Sequence, residues 1–191
     1  MDLLKIKSNK YDLILSNLFL NLSNNLETVI NKINKSLIPN GLFIATLPAP
    51  QNFIELKKAM IETDIQLYKG AYNRFNQTHE LKQIIEILKK NNFKTPVVYL
   101  DNIQLEYKNF EKLLNDIHFM KLSYYHQDKK NTFEKKNYFK KMQENYYKNK
   151  NNKYKLSSIF FVISGWKDHY SQQKPLKPGE AKINLKDFFN D

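Results

Sequence analysis

The sequence predicts an α/β open sheet, and three observations carry the prediction. Short continuous apolar runs, Leu13-Ile14-Leu15, Leu42 to Leu47 and Ile159 to Ile163, read as strands covered on both faces. Between them, apolar residues recur at helical spacing, as in Leu81, Ile84, Ile85 and Leu88. The first elements come in the order strand, helix, turn, strand, which makes a βαβ unit with two parallel strands.

In chain order, Tyr11 to Asn17 is the first strand. Asn24 or Asn25 is placed to cap a helix carrying Leu26, Val29, Ile30, Ile33 and Leu37. Pro39-Asn40-Gly41 reads as a breaker and turn before the strand Leu42 to Leu47, which Pro48 and Pro50 stop. A helix is expected from Asn52 to Tyr68, with Phe53, Leu56, Ala59, Met60 and Ile61 on its apolar side. A loop, 69–75, leads to a helix capped by Thr78 and ended by Asn91-Asn92. Val97 to Tyr107 alternates as a strand, and a helix starts at Asn109 with Phe110, Leu113, Leu114 and Ile117. Phe139, Met142 and Tyr146 give weaker helical spacing inside a lysine-rich stretch, 129–155. Trp166 ends the last strand and is expected to pack, its indole N–H reaching a loop carbonyl. A polar tail follows.

The chain has 191 residues and a net charge of +12. That length suits one domain, and 41% hydrophobic residues supply a core. With no cysteine, a disulfide scaffold, a zinc finger and a cysteine nucleophile are excluded. No apolar run reaches the ~18 residues of a spanning helix, and Met1 to Lys10 has no secretory h-region, so a cytoplasmic protein is expected. Residues 121–155 hold eleven lysines against three acids, which leaves the remainder nearly balanced. The excess reads as compositional drift: lysine, asparagine, isoleucine and tyrosine are all abundant, and Arg74 is the one arginine. Nucleic-acid recognition favours arginine, so that reading is the weaker one. His79, His118, His126 and His169 are scattered, with no spacing that suggests a metal. Tyr124-Tyr125 and Tyr146-Tyr147 are expected to seal helix flanks onto the sheet.

The segments 11–20 (YDLILSNLFL) and 37–43 (LIPNGLF) resemble the fourth strand and the fifth-strand turn of class I S-adenosylmethionine-dependent methyltransferases. Further stretches resemble one branch of that family. They are Phe53 to Ala59, the loop Gly70 to Phe75, Leu88 to Phe93, Ser157 to Trp166, and Gln172 to Ala181. The branch holds the malonyl-carrier-protein O-methyltransferase of biotin synthesis and the arginine hydroxylase that assists assembly of respiratory complex I. The resemblance implies a partial Rossmann-like sheet with the later strands only. The family's glycine-rich turn and ribose-binding acid have no counterpart here, so the N-terminal cofactor-binding half is expected to be missing. The implied organisation is a βαβ remnant (1–50), substrate-side helices and a strand (51–128), a lysine- and asparagine-rich helical insertion (129–156), and the last strand with the tail (157–191).

The resemblance also implies roles. Ser16, Asn17 and Leu18 would border S-adenosylmethionine, and Asn21, Tyr72 and Arg74 would face the substrate. The reading of the residues themselves leaves open that Asn17 is a strand terminator and that Arg74 is a leftover surface arginine. The implied parent reaction is methyl transfer, inactive in this chain alone. Arginine hydroxylation with complex I assembly is one alternative, and a non-enzymatic binding module is another. A separate chain carrying the front half is the expected partner, with a protein or carrier-protein substrate. A sheet broken at its fourth strand is expected to associate or to be poorly soluble.

Overall fold

The computed structural model describes residues 6–23, 25–120 and 133–173. Among the described residues, four strands and five α-helices follow in the order β1 (Tyr11–Asn17), α1 (Leu26–Ser36), β2 (Leu37–Pro48), α2 (Ile54–Tyr68), α3 (Leu81–Lys90), β3 (Phe93–Tyr107), α4 (Phe110–Phe119), α5 (Tyr138–Asn145) and β4 (Tyr154–Lys167). They form one mixed sheet in the order β1-β2-β4-β3. The expected parallel pair is present, with Leu13 beside Leu42 and Asn17 beside Thr46. β4 runs antiparallel to both of its neighbours.

Asn25 caps α1, its Oδ1 accepting from the Thr28 N–H at 2.9 Å, while Asn24 lies outside the described residues. Leu37 belongs to β2 rather than to the helix. The Pro39-Asn40-Gly41 turn is absorbed into β2 as an irregularity, since Tyr11 pairs with Leu37 but Leu13 with Leu42. Asn40 takes a positive φ of 63° there. Gly41 is required for space, because an added Cβ would meet Ile38 O at 2.8 Å. The cap of α3 is Glu80 rather than Thr78, with Gln83 Oε1 accepting from the Glu80 N–H at 2.9 Å. β3 begins at Phe93, before the expected Val97, and carries a register shift between Lys94 and Val97.

Two cores form. The first packs α1 and α3 onto one sheet face through Val29, Ile30, Ile33, Ile84 and Leu88 against Phe43, Phe161 and Ile163. The second packs α2, α4 and α5 through Leu56, Leu113 and Met142 against Tyr107, Tyr154 and Leu156. Tyr146 seals this core as expected, edge-on to Phe110 and Tyr154. Tyr147 is exposed, and Tyr124 and Tyr125 lie outside the described residues. Ile61 and Phe139, expected on apolar sides, face outward. Trp166 is 42% exposed rather than packed.

Leu113 and Met142 are fully buried. Leu113→Ala and Met142→Ala should each cost about 2–5 kcal/mol, the transfer loss plus the cavity left behind. Leu15→Ser, on an exposed position of β1, should stay within about 0.5 kcal/mol. Urea unfolding of the three variants checks the contrast.

Candidate functional site

β1 and β2 run parallel, so their carboxyl ends share one side of the sheet, the side where open α/β folds place ligands. There Asn17 Oδ1 accepts from the Thr46 hydroxyl at 2.6 Å, and Thr46 Oγ1 accepts from the Leu18 N–H at 3.0 Å. Leu18 has φ 52°, a conformation that costs a branched side chain energy. The Ser16 hydroxyl is buried without a protein partner, as is Asn21 Oδ1. The structure thus brings Ser16, Asn17 and Leu18 together, with Asn21 just beyond on a 3₁₀ turn, Leu20–Leu22.

Beside this corner lies a cleft of about 630 Å³, its solvent-open mouth included. Leu20 and Asn21 form one wall and Leu47 and Pro48 another. Asn52, Phe53 and Lys57 come from the start of α2, Phe75 to His79 from the following loop, and Ile84 from α3. Two clips set the position of α2. Asn52 Oδ1 accepts from the Ile159 N–H at 2.8 Å, and the Glu55 carboxylate takes both the Ser157 N–H and its hydroxyl, at 3.0 and 2.6 Å. Phe53 enters the helix at φ 56°, and its N–H donates to Ser157 O at 2.8 Å.

Among the described residues, the cleft lining contains Lys57 and His79 and no carboxylate. Lys57 Nζ donates to Pro50 O at 2.8 Å and stands 5.3 Å from the centre of the Phe75 ring. Burial lowers its pKa below the ordinary lysine value. Burial also lowers that of His79. Neither residue stands out in the sequence. Lys57 is one of thirty lysines, and His79 reads there as a structural histidine in a first helical turn. It lies just before the cap of α3, in the loop that closes the cleft.

Tyr72 and Arg74 lie elsewhere, in a cluster against the second half of α2. Arg74 Nε and Nη2 donate to the two oxygens of Asp64 at 2.8 and 2.6 Å, and Nη1 donates to Glu134 at 2.8 Å. Its guanidinium lies 4.8 Å from the Tyr138 ring centre and 5.6 Å from that of Tyr72. The Tyr72 N–H also donates to Asp64, at 3.1 Å. Arg74 is 15% exposed and Asp64 1%. The planar fork expected for a substrate carboxylate is therefore held by the protein's own acids. Burial opposes the charge on Arg74, but the bonds to Asp64 and Glu134 outweigh it and raise its pKa. Asp64 was legible in principle: it is an acid on the Leu56, Ala59, Thr63 stripe that α2 buries.

Curated relatives align along nearly the whole chain. A Dictyostelium discoideum protein named arginine-hydroxylase NDUFAF5, mitochondrial, is 30% identical over 93% of this chain and 41% of its own length. The Danio rerio protein of the same name is 23% identical over 97% of this chain and 59% of its own. Similarity to proteins of this name thus runs along nearly the whole of this chain. It spans about half the length of these curated relatives. The YcgJ protein of Bacillus subtilis superposes with a TM-score of 0.53 at 11% identity, covering 87% of this chain and 68% of that one, which shows a shared fold. No family model matches the chain. Among the described residues, no helix is long and apolar enough to cross a membrane.

Two predictions arise from these clusters. Arg74→Ala should cost up to about 3–5 kcal/mol, because it strands Asp64 as a buried charge. Arg74→Lys should also destabilise, since an ammonium cannot satisfy both acids through a planar fork. Thermal unfolding of both variants reads this. His79 has its folded pKa below its ordinary 6.5. The unfolded chain therefore binds the proton first, and stability should fall as pH drops through 6.5. His79→Asn should flatten that slope in melts between pH 7.5 and pH 5.5.

Proposed function

We propose that this chain is one part of an S-adenosylmethionine-dependent methyltransferase-like enzyme. Its cleft at the carboxyl ends of β1 and β2 would receive the group to be modified. The observation that carries this reading is the cleft's chemistry: a lining that mixes apolar side chains with neutral polar ones, one partly desolvated lysine, and no carboxylate among the described residues. S-adenosylmethionine, when bound, supplies a methyl group on a sulfonium. Methyl transfer then asks the protein for orientation and exclusion of water more than for proton transfer. Ser16 and Asn21, each with a buried oxygen lacking a protein partner, fit one flank of such a molecule. Asn17 and the Thr46 hydroxyl fix the backbone at Leu18 beside them. The ribose hydroxyls ask for an acid, and the cleft offers none. A second polypeptide would supply that contact, so the chain alone should bind the cofactor weakly.

The relatives' printed name favours a second reading, hydroxylation of a protein arginine. Against it stands Lys57, because a guanidinium entering this cleft would meet a like charge with no carboxylate in the lining to offset it. An acceptor that is neutral or anionic at its apolar end suits the cleft better. On this reading the exposed lysines among the described residues of the lysine-rich stretch are solvated surface. Its Lys141 and Lys153 pair with Glu144 and Glu106.

Calorimetry tests both halves of the proposal. The chain alone should show no micromolar binding of S-adenosylmethionine, and such binding would overturn the shared-site reading. At low salt, octanoate should bind more tightly than octylguanidinium, and Lys57→Met should erase the preference. Equal binding of the two probes to the unmodified chain would count against an anion-tolerant cleft.

A further inference from the structure

Residues 70–79 join α2 to α3 without helix or strand. Among the described residues, no hydrogen bond between main chains holds them, yet Phe75 to His79 form one wall of the cleft. Side chains therefore set where that wall stands. Arg74 and Phe75 are neighbours in the loop, and they grip α2 at two places. Arg74 reaches Asp64, with Nε at 2.8 Å from one carboxylate oxygen and Nη2 at 2.6 Å from the other. The Phe75 ring meets Lys57, whose Nζ lies 5.3 Å from the ring centre. Lys57 and Asp64 both belong to α2 and are two turns apart. They share one side of the helix and are separated by about 10 Å along its axis. One tether would leave the loop free to swing. Two tethers at that spacing fix its direction as well as its place. The bidentate bond is itself directional, because both of its hydrogen bonds lie in the plane of the guanidinium.

We infer that Arg74 is the positioning residue of the cleft: its fork on Asp64 holds the loop so that Phe75 lies on Lys57 and the wall from Phe75 to His79 stays closed. Arg74 is not part of the cleft lining, and it acts through its neighbour Phe75. The Phe75 ring helps to keep water from the Lys57 ammonium, whose pKa burial lowers. Without the fork the ring is free to leave, the wall loosens and the lysine rehydrates. A lysine at this position would reach Asp64 as a point charge but would not direct the chain at the next residue. What the closed wall selects rests on the functional reading above, whereas the positioning itself stands on the geometry of the loop.

Three variants of this chain test the inference with three readouts. These are the nuclear Overhauser contact between the Lys57 side chain and the Phe75 ring, the NMR titration of Lys57, and octanoate affinity by calorimetry. Loss of a resonance in Lys57→Met assigns the lysine. The double variant Asp64→Leu with Arg74→Met replaces a buried ion pair by apolar groups of similar volume, an exchange that often leaves stability intact. Its melt should stay near that of the unmodified chain. Even so, the Lys57 contact with Phe75 should vanish, Lys57 should titrate closer to the ordinary 10.5, and octanoate should bind at least tenfold more weakly. Arg74→Lys should show the same three changes. Leu113→Ala, which weakens the second core without touching the loop's tethers, should show none of them. A folded double variant with all three readouts unchanged overturns the inference. So does a Leu113→Ala variant with the same losses, because the effect would then belong to stability in general. If the double variant does not fold, Arg74→Lys read against Leu113→Ala decides in the same way. If the unmodified chain binds no octanoate, the functional reading falls, and the Phe75 contact and the Lys57 titration alone decide the role of Arg74.

Discussion

The structure depends on β4 serving two cores at once. Its odd-numbered residues Phe161 and Ile163 enter the core under α1 and α3, and its even-numbered Tyr154 and Leu156 enter the core under α2, α4 and α5. A two-residue period puts these sets on opposite faces, so one strand joins two helical layers lying at different ends of the sheet. Between the two sets sit Ser157 and Ser158, both buried. Ser157 is where the Glu55 carboxylate and Gln104 converge. This junction fixes the start of α2, and so it positions Asn52, Phe53 and Lys57 on the cleft.

Charge in this protein divides into two kinds. Most lysines are exposed on the surface, where pairs such as Lys90 with Glu27 contribute little. Arg74 is different. Bound to a carboxylate that is almost wholly enclosed, and lying against tyrosine rings, it ties the loop after α2 to the segment preceding α5. Arginine serves here because its planar fork meets two acids in fixed directions while remaining charged. The single arginine of a lysine-rich chain is thus explained by an internal bond, with no need for a ligand.

The cleft and an exposed apolar strip of the sheet meet at β1. Asn17 and Leu18 end that strand beside the cleft, and Leu13 and Leu15 present its exposed apolar side.

The sequence alone determined the local elements. Apolar runs and helical spacing located β1, α1, α3, α4 and the middle of β4, because burial periodicity is a property of neighbouring residues. It also offered Asn24 or Asn25 as the cap of α1 and gave β1 and β2 as a parallel pair. Tertiary structure decided what depends on residues distant in the chain. Pro39-Asn40-Gly41 became an irregularity within a strand because β1 pairs with β2 on both sides of it, at Leu37 and again from Leu42. Trp166 stayed exposed because no described element covers its face. Arg74 turned inward because Asp64, ten residues away, and Glu134, sixty residues away, converge on it. Lys57 and His79 acquired significance only through the shared cleft, since a lysine among thirty carries no mark in sequence until the fold desolvates it.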